Sequence, residues 1–289
     1  MRIPLSVAVR RVVRVRTQRT IVESPDLVVR SVACADDHTC WSVPETSSAT
    51  GIVLVRQGRF RLDAQGRQAT VDPTVGYLQR PGEEMRFAHP AGGDVCTFVT
   101  LTGDWPAELA EVAGLPGSSG PAGRSTAPCS PLVRVDARLE LAHRLLVRTG
   151  TDPHFAAVEG VLTLLELALR DQPADDPAPG RRELAERARE ALLSGEPDSG
   201  TGLVALARLL GTSPAHLSRT FRHHVGMPLS RYRNRLRVSR ALSRMAEGDT
   251  DLAALAVALG FSDQAHMARV IRAELGHPPA RVRSLLTPS

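Results

Sequence analysis

The sequence predicts an α+β chain of two domains: an N-terminal β domain carrying an αα-hairpin, and a C-terminal domain made only of helices. Three observations predict it. Short β-branched runs alternate with Gly/Pro turns as far as residue 102, a proline-rich acidic stretch occupies 171–180, and one helical pattern is written twice beyond residue 200. The 289 residues are enough for two separate cores.

Residues 1–22 carry Arg2, Arg10, Arg11, Arg14, Arg16 and Arg19. These charges leave no unbroken apolar stretch of the ~7–15 residues a secretory signal requires, so the segment reads as a basic tail or as an arm touching DNA. The β-rich domain spans 23–170. Its run 52–55 is β-branched, 59–62 alternates, and Asp63-Ala64-Gln65-Gly66 turns the chain back into 67–71. Runs at 75–78, 85–87 and 95–101 follow, separated by turns at 81–82 and 90–93. Strands at roughly ten-residue spacing are the pattern of a small barrel or sandwich. Residues 114–131 are rich in Gly, Ser and Pro and read as a connector.

Two helices close the domain. Residues 136–147 place Leu139, Ala142, Leu145 and Leu146 on one face, and a second helix starting at Asp152-Pro153 stripes Phe155, Val158, Val161, Leu162, Leu165 and Leu169. These apolar faces need a cover, either the β domain or a second copy in a homodimer. The stretch 171–180 (DQPADDPAPG) reads as a linker that lets the last domain, 181–289, move independently.

In that domain the two copies are 203–226 (LVALARLLGTSPAHLSRTFRHHVG) and 252–276 (LAALAVALGFSDQAHMARVIRAELG). Each opens with a short Leu/Ala helix, breaks at Gly211 or Gly260, restarts at a capping residue (Ser213; Ser262 or Asp263) and closes on Gly226 or Gly276. Two short striped helices around a glycine turn make a helix-turn-helix. A helix over about 229–245 joins the two units.

Charge agrees with this reading. Residues 181–289 hold 17 Arg against 10 Asp/Glu, a net of +7, whereas residues 1–180 hold 19 against 21, a net of −2. A basic helical domain is the electrostatic footprint of a nucleic-acid binder, or else a solvated basic face. All 36 basic residues are arginine, the better ligand for phosphate and guanine. Cys34, Cys40, Cys96 and Cys129 form no CxxC pair, and no run of ~18 apolar residues could span a membrane, so the sequence predicts a cytoplasmic protein with reduced thiols.

Residues 213–232 (SPAHLSRTFRHHVGMPLSRY), 233–245 (RNRLRVSRALSRM) and 260–283 (GFSDQAHMARVIRAELGHPPARVR) resemble the AraC/XylS family of bacterial transcription regulators. Gly260, Phe261, Asp263, Arg269, Arg272, Gly276, Pro279 and Arg283 stand in register with the closing signature of that family. The departures are Met267, Ile271 and Val282 where aromatics are usual, and Pro278 where Ser or Thr is usual. The first three stay apolar, which implies looser packing of the same fold. The resemblance implies a cupin-like β-barrel as effector-binding and dimerisation domain, promoter DNA and RNA polymerase as partners, and activation as the outcome.

Helix-face geometry sorts the contacts. Leu217, Phe221 and Val225 must face inward in the first unit, leaving Ala215, His216, Ser218, Arg219 and Arg222 open. Met267, Val270 and Ile271 go inward in the second, leaving Gln264, Ala265, Ala268, Arg269 and Arg272. Arginine reads guanine, glutamine reads adenine and alanine touches a thymine methyl. By resemblance the base contacts fall at 215, 218, 219, 264, 265, 268 and 269, and Arg222 and Arg272 are assigned to phosphate. On the joining helix, Val238, Ala241, Leu242 and Met245 would pack against both units, and Arg231, Arg233, Arg235 and Arg240 either neutralise phosphate or keep the helix soluble.

For the N-terminal domain a small organic effector in a cavity lined by Trp41, Phe60, Tyr77, Phe87 and Phe98 is the main reading, with no cofactor required. The alternative is a metal- or thiol-sensing set. His38-Thr39-Cys40 followed by Glu45 resembles a cupin metal motif with one histidine replaced, and Cys34, His89 and Cys96 are the further candidates, suited to zinc or a similar ion. A cupin enzyme fused to a DNA-binding domain is disfavoured. The chain has no full two-histidine-plus-carboxylate set, no P-loop, no nucleophile elbow and no dinucleotide fingerprint, so catalysis is not expected.

Overall fold

A computed structural model describes residues 16–25, 27–102, 131–148, 155–170, 179–194 and 202–287. Most of the 1–22 tail, all of the connector 114–131 but its last residue, Cys129 and most of the linker 171–180 lie outside the described residues.

Among the described residues, ten strands form two antiparallel sheets. The first contains β1 (Arg16–Glu23), β2 (Leu27–Cys34), β9 (Asp94–Leu101), β4 (Thr50–Gln57), β7 (Val75–Gln79) and β10 (Leu132–Arg134), in that order across the sheet. The second runs β3 (Glu45–Thr46), β8 (Glu84–Ala88), β5 (Phe60–Ala64), β6 (Arg67–Val71). Among the described residues the strands make these two sheets and not one closed barrel.

The run at 52–55 is continuously apolar because its strand is covered on both faces. Val53 and Val55 join Phe60, Leu62, Tyr77 and Met85 in one cluster, whereas Ile52 and Leu54 join Leu27, Val29, Val99 and Leu101 in another. The Gln65-Gly66 turn has positive φ at both positions, 53° and 83°, and reverses β5 into β6 as a two-residue hairpin; Asp63 accepts the Gly66 amide at 2.8 Å.

One correction concerns the N-terminus. Residues 16–22 are not tail but most of β1, paired along β2. Polar side chains hide an edge strand from a sequence reading, since the ladder needs only backbone groups. Here Val22 is buried and Ile21 packs beside it, which fixes the register.

The helical hairpin is α1 (Ala137–Leu146) and α2 (Phe155–Arg170). The side chains of Phe155 and Leu169 lie outside the description. Val161, Leu164, Leu165 and Ala168 are buried in the sheet cluster with Leu139 and Leu146, while Leu162 is 45% exposed. Of the described stripe residues, Val158, Val161 and Leu165 therefore pack against the sheet cluster and Leu162 does not.

Helix α3 (Pro179–Ser194) opens the C-terminal half, followed by α4 (Leu203–Leu209), α5 (Pro214–Val225), α6 (Leu229–Ala246), α7 (Leu252–Ala258), α8 (Gln264–Leu275) and α9 (Pro279–Leu286). Leu206, Ala207, Leu217 and Phe221 build the first unit's core with Tyr232 and Leu236 of α6. Leu255, Phe261, Met267, Ile271 and Val282 build the second with Val238, Ala241, Leu242 and Met245 of the same helix. Ala137 and Leu141 of α1 lie in that second core, so the two halves of the chain are docked.

Candidate functional site

Helices α5 and α8 start and stop by the same chemistry. Ser213 accepts the His216 amide at 3.2 Å ahead of Pro214, and Asp263 accepts the His266 amide at 2.6 Å. That hydrogen bond, opposed by a smaller desolvation effect, holds the Asp263 carboxyl below its ordinary range. Both helices end on a left-handed glycine, Gly226 at φ 78° and Gly276 at φ 76°, where a side chain would be strained.

With the termini fixed, the stripe decides the faces. Leu217 and Phe221 are fully buried and Val225 packs beside them; Met267 and Ile271 are buried, with Val270 partly so. The opposite faces present what the sequence assigned to DNA. Ala215, His216, Arg219 and Arg222 are exposed with Ser218 half-buried, and Gln264, Ala265, Arg269 and Arg272 are exposed with Ala268 half-buried. Helix α6 holds both units at fixed separation: its 18 residues measure ~27 Å.

The joining-helix arginines separate. Arg231 is exposed beside Glu274 at 3.5 Å, Arg240 is half-buried, and Arg233 is half-buried. Arg235 is 2% exposed and neither meets solvent nor can reach phosphate. It donates to Glu140 at 2.5 Å and to the carbonyls of Pro73, Val135 and Asp136 at 3.2, 3.1 and 3.0 Å. The same Glu140 accepts from Arg144 at 2.7 Å and from Ser239 at 2.7 Å. Burial alone would raise the Glu140 carboxyl, but Arg235 and Arg144 outweigh it and hold the group below the ordinary carboxylate range.

A second buried knot fastens α3. Arg189 pairs with Asp72, donates to the Thr70 carbonyl at 3.2 Å and Tyr232 at 3.3 Å, and meets Glu186 at 3.0 Å. Burial, then the Asp72 charge, pushes the Tyr232 hydroxyl up to about 12, so it stays a neutral hydrogen-bonding group. Sequence reasoning did not single out Asp72, Glu140, Arg144 or Arg189. The available signal was periodicity: Arg235 and Ser239 fall in line with Tyr232 and Leu242 on the inward stripe of α6, where a polar residue demands a partner.

Between the sheets lies a cavity of about 130 Å³, lined among others by Phe60, Tyr77, Phe87, Phe98 and Arg16. Trp41, also expected there, instead lies under the Arg61 guanidinium at 4.9 Å. The cysteines and histidines divide. Cys34, His38, His89 and Cys96 line the cavity with Asp36 and Asp94. Cys40 is exposed, and its carbonyl accepts from His38 Nδ1 at 2.7 Å. Burial pushes the Cys34 and Cys96 thiols up.

Comparison with known proteins bears on the helical half. A family model described as "Helix-turn-helix domain" matches residues 206–284. The transcriptional activator RhaS of Escherichia fergusonii is 32% identical over 79 residues, 27% of this chain and 28% of that protein. The transcriptional regulator GlxA of Rhizobium meliloti is 33% identical over 159 residues, 51% of this chain and 46% of that one. The chain thus spans less than half the length of these relatives. Among solved structures, ToxT of Vibrio cholerae bound to an unsaturated fatty acid aligns over 91% of this chain and 97% of its own, at 12% identity and a TM-score of 0.36. Among the described residues no helix is long and apolar enough to cross a membrane.

Proposed function

We propose, from the premise that this chain is a DNA-binding transcription regulator of the AraC type, that it reads promoter DNA through α5 and α8 together. The observation that supports this reading is the paired exposure of the two faces. The residues able to read bases or hold phosphate stand outward on both helices, while the apolar stripes close separate cores on one rigid helix. A strut of ~27 Å suits two helices placed in successive major grooves about 34 Å apart on one face of the duplex.

The N-terminal domain is the effector domain in this reading, a cupin-like sandwich open at its hydrogen-bonding edges. Its aromatic-walled cavity takes a small organic molecule. A dry cavity of roughly 150 Å³ holds benzene, so a ligand near that size fits the shape described. The protein works in the cytoplasm as an activator that contacts RNA polymerase, and as a homodimer when it occupies paired sites. It carries no catalytic function.

Footprinting with the full chain tests the DNA reading. One protomer should protect about two helical turns without a palindrome. Arg219→Ala and Arg269→Ala should each cost about 1–3 kcal/mol on the selected site and relax base preference there. Equal losses on selected and random DNA would show that these arginines anchor and do not read.

A further inference from the structure

The cavity wall carries a group of side chains that an organic effector does not explain. Cys34 ends β2, Asp36 follows in the next loop, and His89 follows β8; one ligand atom from each lies within 4.8 Å of the others. Asp36 is 7% and His89 8% exposed, so the group is built into the protein and does not decorate its surface. Cys34 Sγ is 3.4 Å from Asp36 Oδ2, and His38 Nε2 is 3.9 Å from the same oxygen. Around a tetrahedral zinc, bond lengths of ~2.0–2.3 Å set ligand–ligand spacings of roughly 3.3–3.8 Å.

The two imidazoles are oriented by outside partners. His89 Nε2 faces Asp94 Oδ1 at 3.0 Å, and Asp94 is itself held by the Cys96 thiol, which donates to Oδ2 at 2.9 Å. The other nitrogen, His89 Nδ1, is buried with no hydrogen-bond partner. His89 thus has a carboxylate beside one ring nitrogen and no hydrogen bond at the other, a placement it shares with metal-binding histidines. His38 repeats the arrangement: its Nδ1–H donates to the Cys40 carbonyl at 2.7 Å, leaving the Nε2 lone pair toward Asp36. Its ring meets the His89 ring edge-on, centroids 5.1 Å apart.

We infer that Cys34, Asp36 and His89, with His38 as fourth donor, form a binding site for one thiophilic divalent cation, zinc in preference to magnesium or calcium. Sulfur and imidazole select against the hard oxygen-loving ions. On binding, the Cys34 thiol gives its proton to solvent and the thiolate, carboxylate and imidazoles close on the ion. The ion would join the end of β2 to the segment between β8 and β9. Cys40 takes no part, and Asp94 acts through His89 as a positioning residue. The site shares the wall of the cavity assigned above to an organic ligand, but zinc binding does not require that ligand.

Full-length protein stripped with a chelator and titrated with Zn²⁺ against a chromophoric competitor should take up one equivalent. Co²⁺ in its place should give a tetrahedral visible spectrum and a sulfur-to-cobalt charge-transfer band. Cys34→Ser should abolish that band and weaken binding at least tenfold, and Asp94→Asn should weaken it about 10–100-fold while keeping the band. Cys40→Ser should change neither. If Cys34→Ser loses its cooperative thermal transition, His89→Gln supplies the same comparison for affinity. Failure of the wild-type protein to compete for zinc overturns the inference, and so does a band that survives Cys34→Ser or disappears with Cys40→Ser.

Discussion

Replacing Glu140 by Gln removes one negative charge from a place where three positive or polar partners converge and water does not reach. Arg235 is 2% exposed, Arg144 5% and Glu140 0%, so neither guanidinium can turn to solvent when the carboxylate goes. Breaking a buried ion pair by removing one partner costs about 3–5 kcal/mol, because the surviving charge stays buried. Two survive here, which places the effect at the upper end. At about 2–4 °C per kcal/mol, the melting temperature should fall by roughly 6–20 °C. Scanning calorimetry on the full chain measures it, and an Arg235→Met partner completes the double-mutant cycle, with a coupling of at least ~1 kcal/mol expected between contacting groups. Because the folded carboxyl titrates below its ordinary range, its contribution is present above pH ~4.3 and disappears as acid protonates it. A Glu140→Gln protein melting within a degree or two of the parent would refute the reasoning, and so would a cycle with no coupling.

Arg222→Ala should weaken binding to all DNA sequences alike and flatten the salt dependence by about one unit, since the residue is exposed on the last turn of α5; a salt titration on random duplex checks it. His143 is fully buried, and burial followed by Arg144, Arg56 and Arg235 pushes its pKa well below the usual imidazole value. Only the unfolded chain takes up that proton as pH drops below ~6.5, so stability should fall by about 1.4 kcal/mol per unit there, and denaturant titrations should show the slope vanish in His143→Gln. Leu165→Asp should unfold the N-terminal domain, its side chain being 4% exposed, whereas Leu162→Asp, 45% exposed, should stay folded within ~0.5 kcal/mol. Sedimentation of Leu162→Asp as a monomer beside a dimeric parent would locate the interface on the outer face of α2.

Elements whose patterns are local were legible in the sequence. The helix-turn-helix units depend on caps, glycines and stripes within a dozen residues, and both recognition faces are oriented as their stripes dictate. The strands from β4 to β9 are bounded by their own turns. What escaped depends on pairing between distant segments. Arg16–Glu23 joins a sheet through backbone groups that carry no sequence signature. Arg235 looks like any arginine on a basic helix until Glu140, 95 residues earlier, is brought against it. The sequence offered Cys34, His38, Cys40, His89 and Cys96 without showing which of them would meet. The fold gathers Cys34 and His89 around Asp36, a residue with no claim to notice in the primary structure.

The sharing of α1 between two cores bears on how such a chain can be recombined. A chimaera joined at 171–180, where composition suggests a natural seam, would carry both helix-turn-helix units yet leave behind Ala137 and Leu141, which complete the second. It would also leave Glu140 on the discarded side of Arg235. Moving the junction ahead of residue 137 rescues the second unit but removes Leu139 and Leu146 from the sheet they cover. The most conspicuous breakpoint in the sequence is therefore a poor place to cut, and grafts of this DNA-binding half onto foreign sensors will need a matching α1 face supplied by the host.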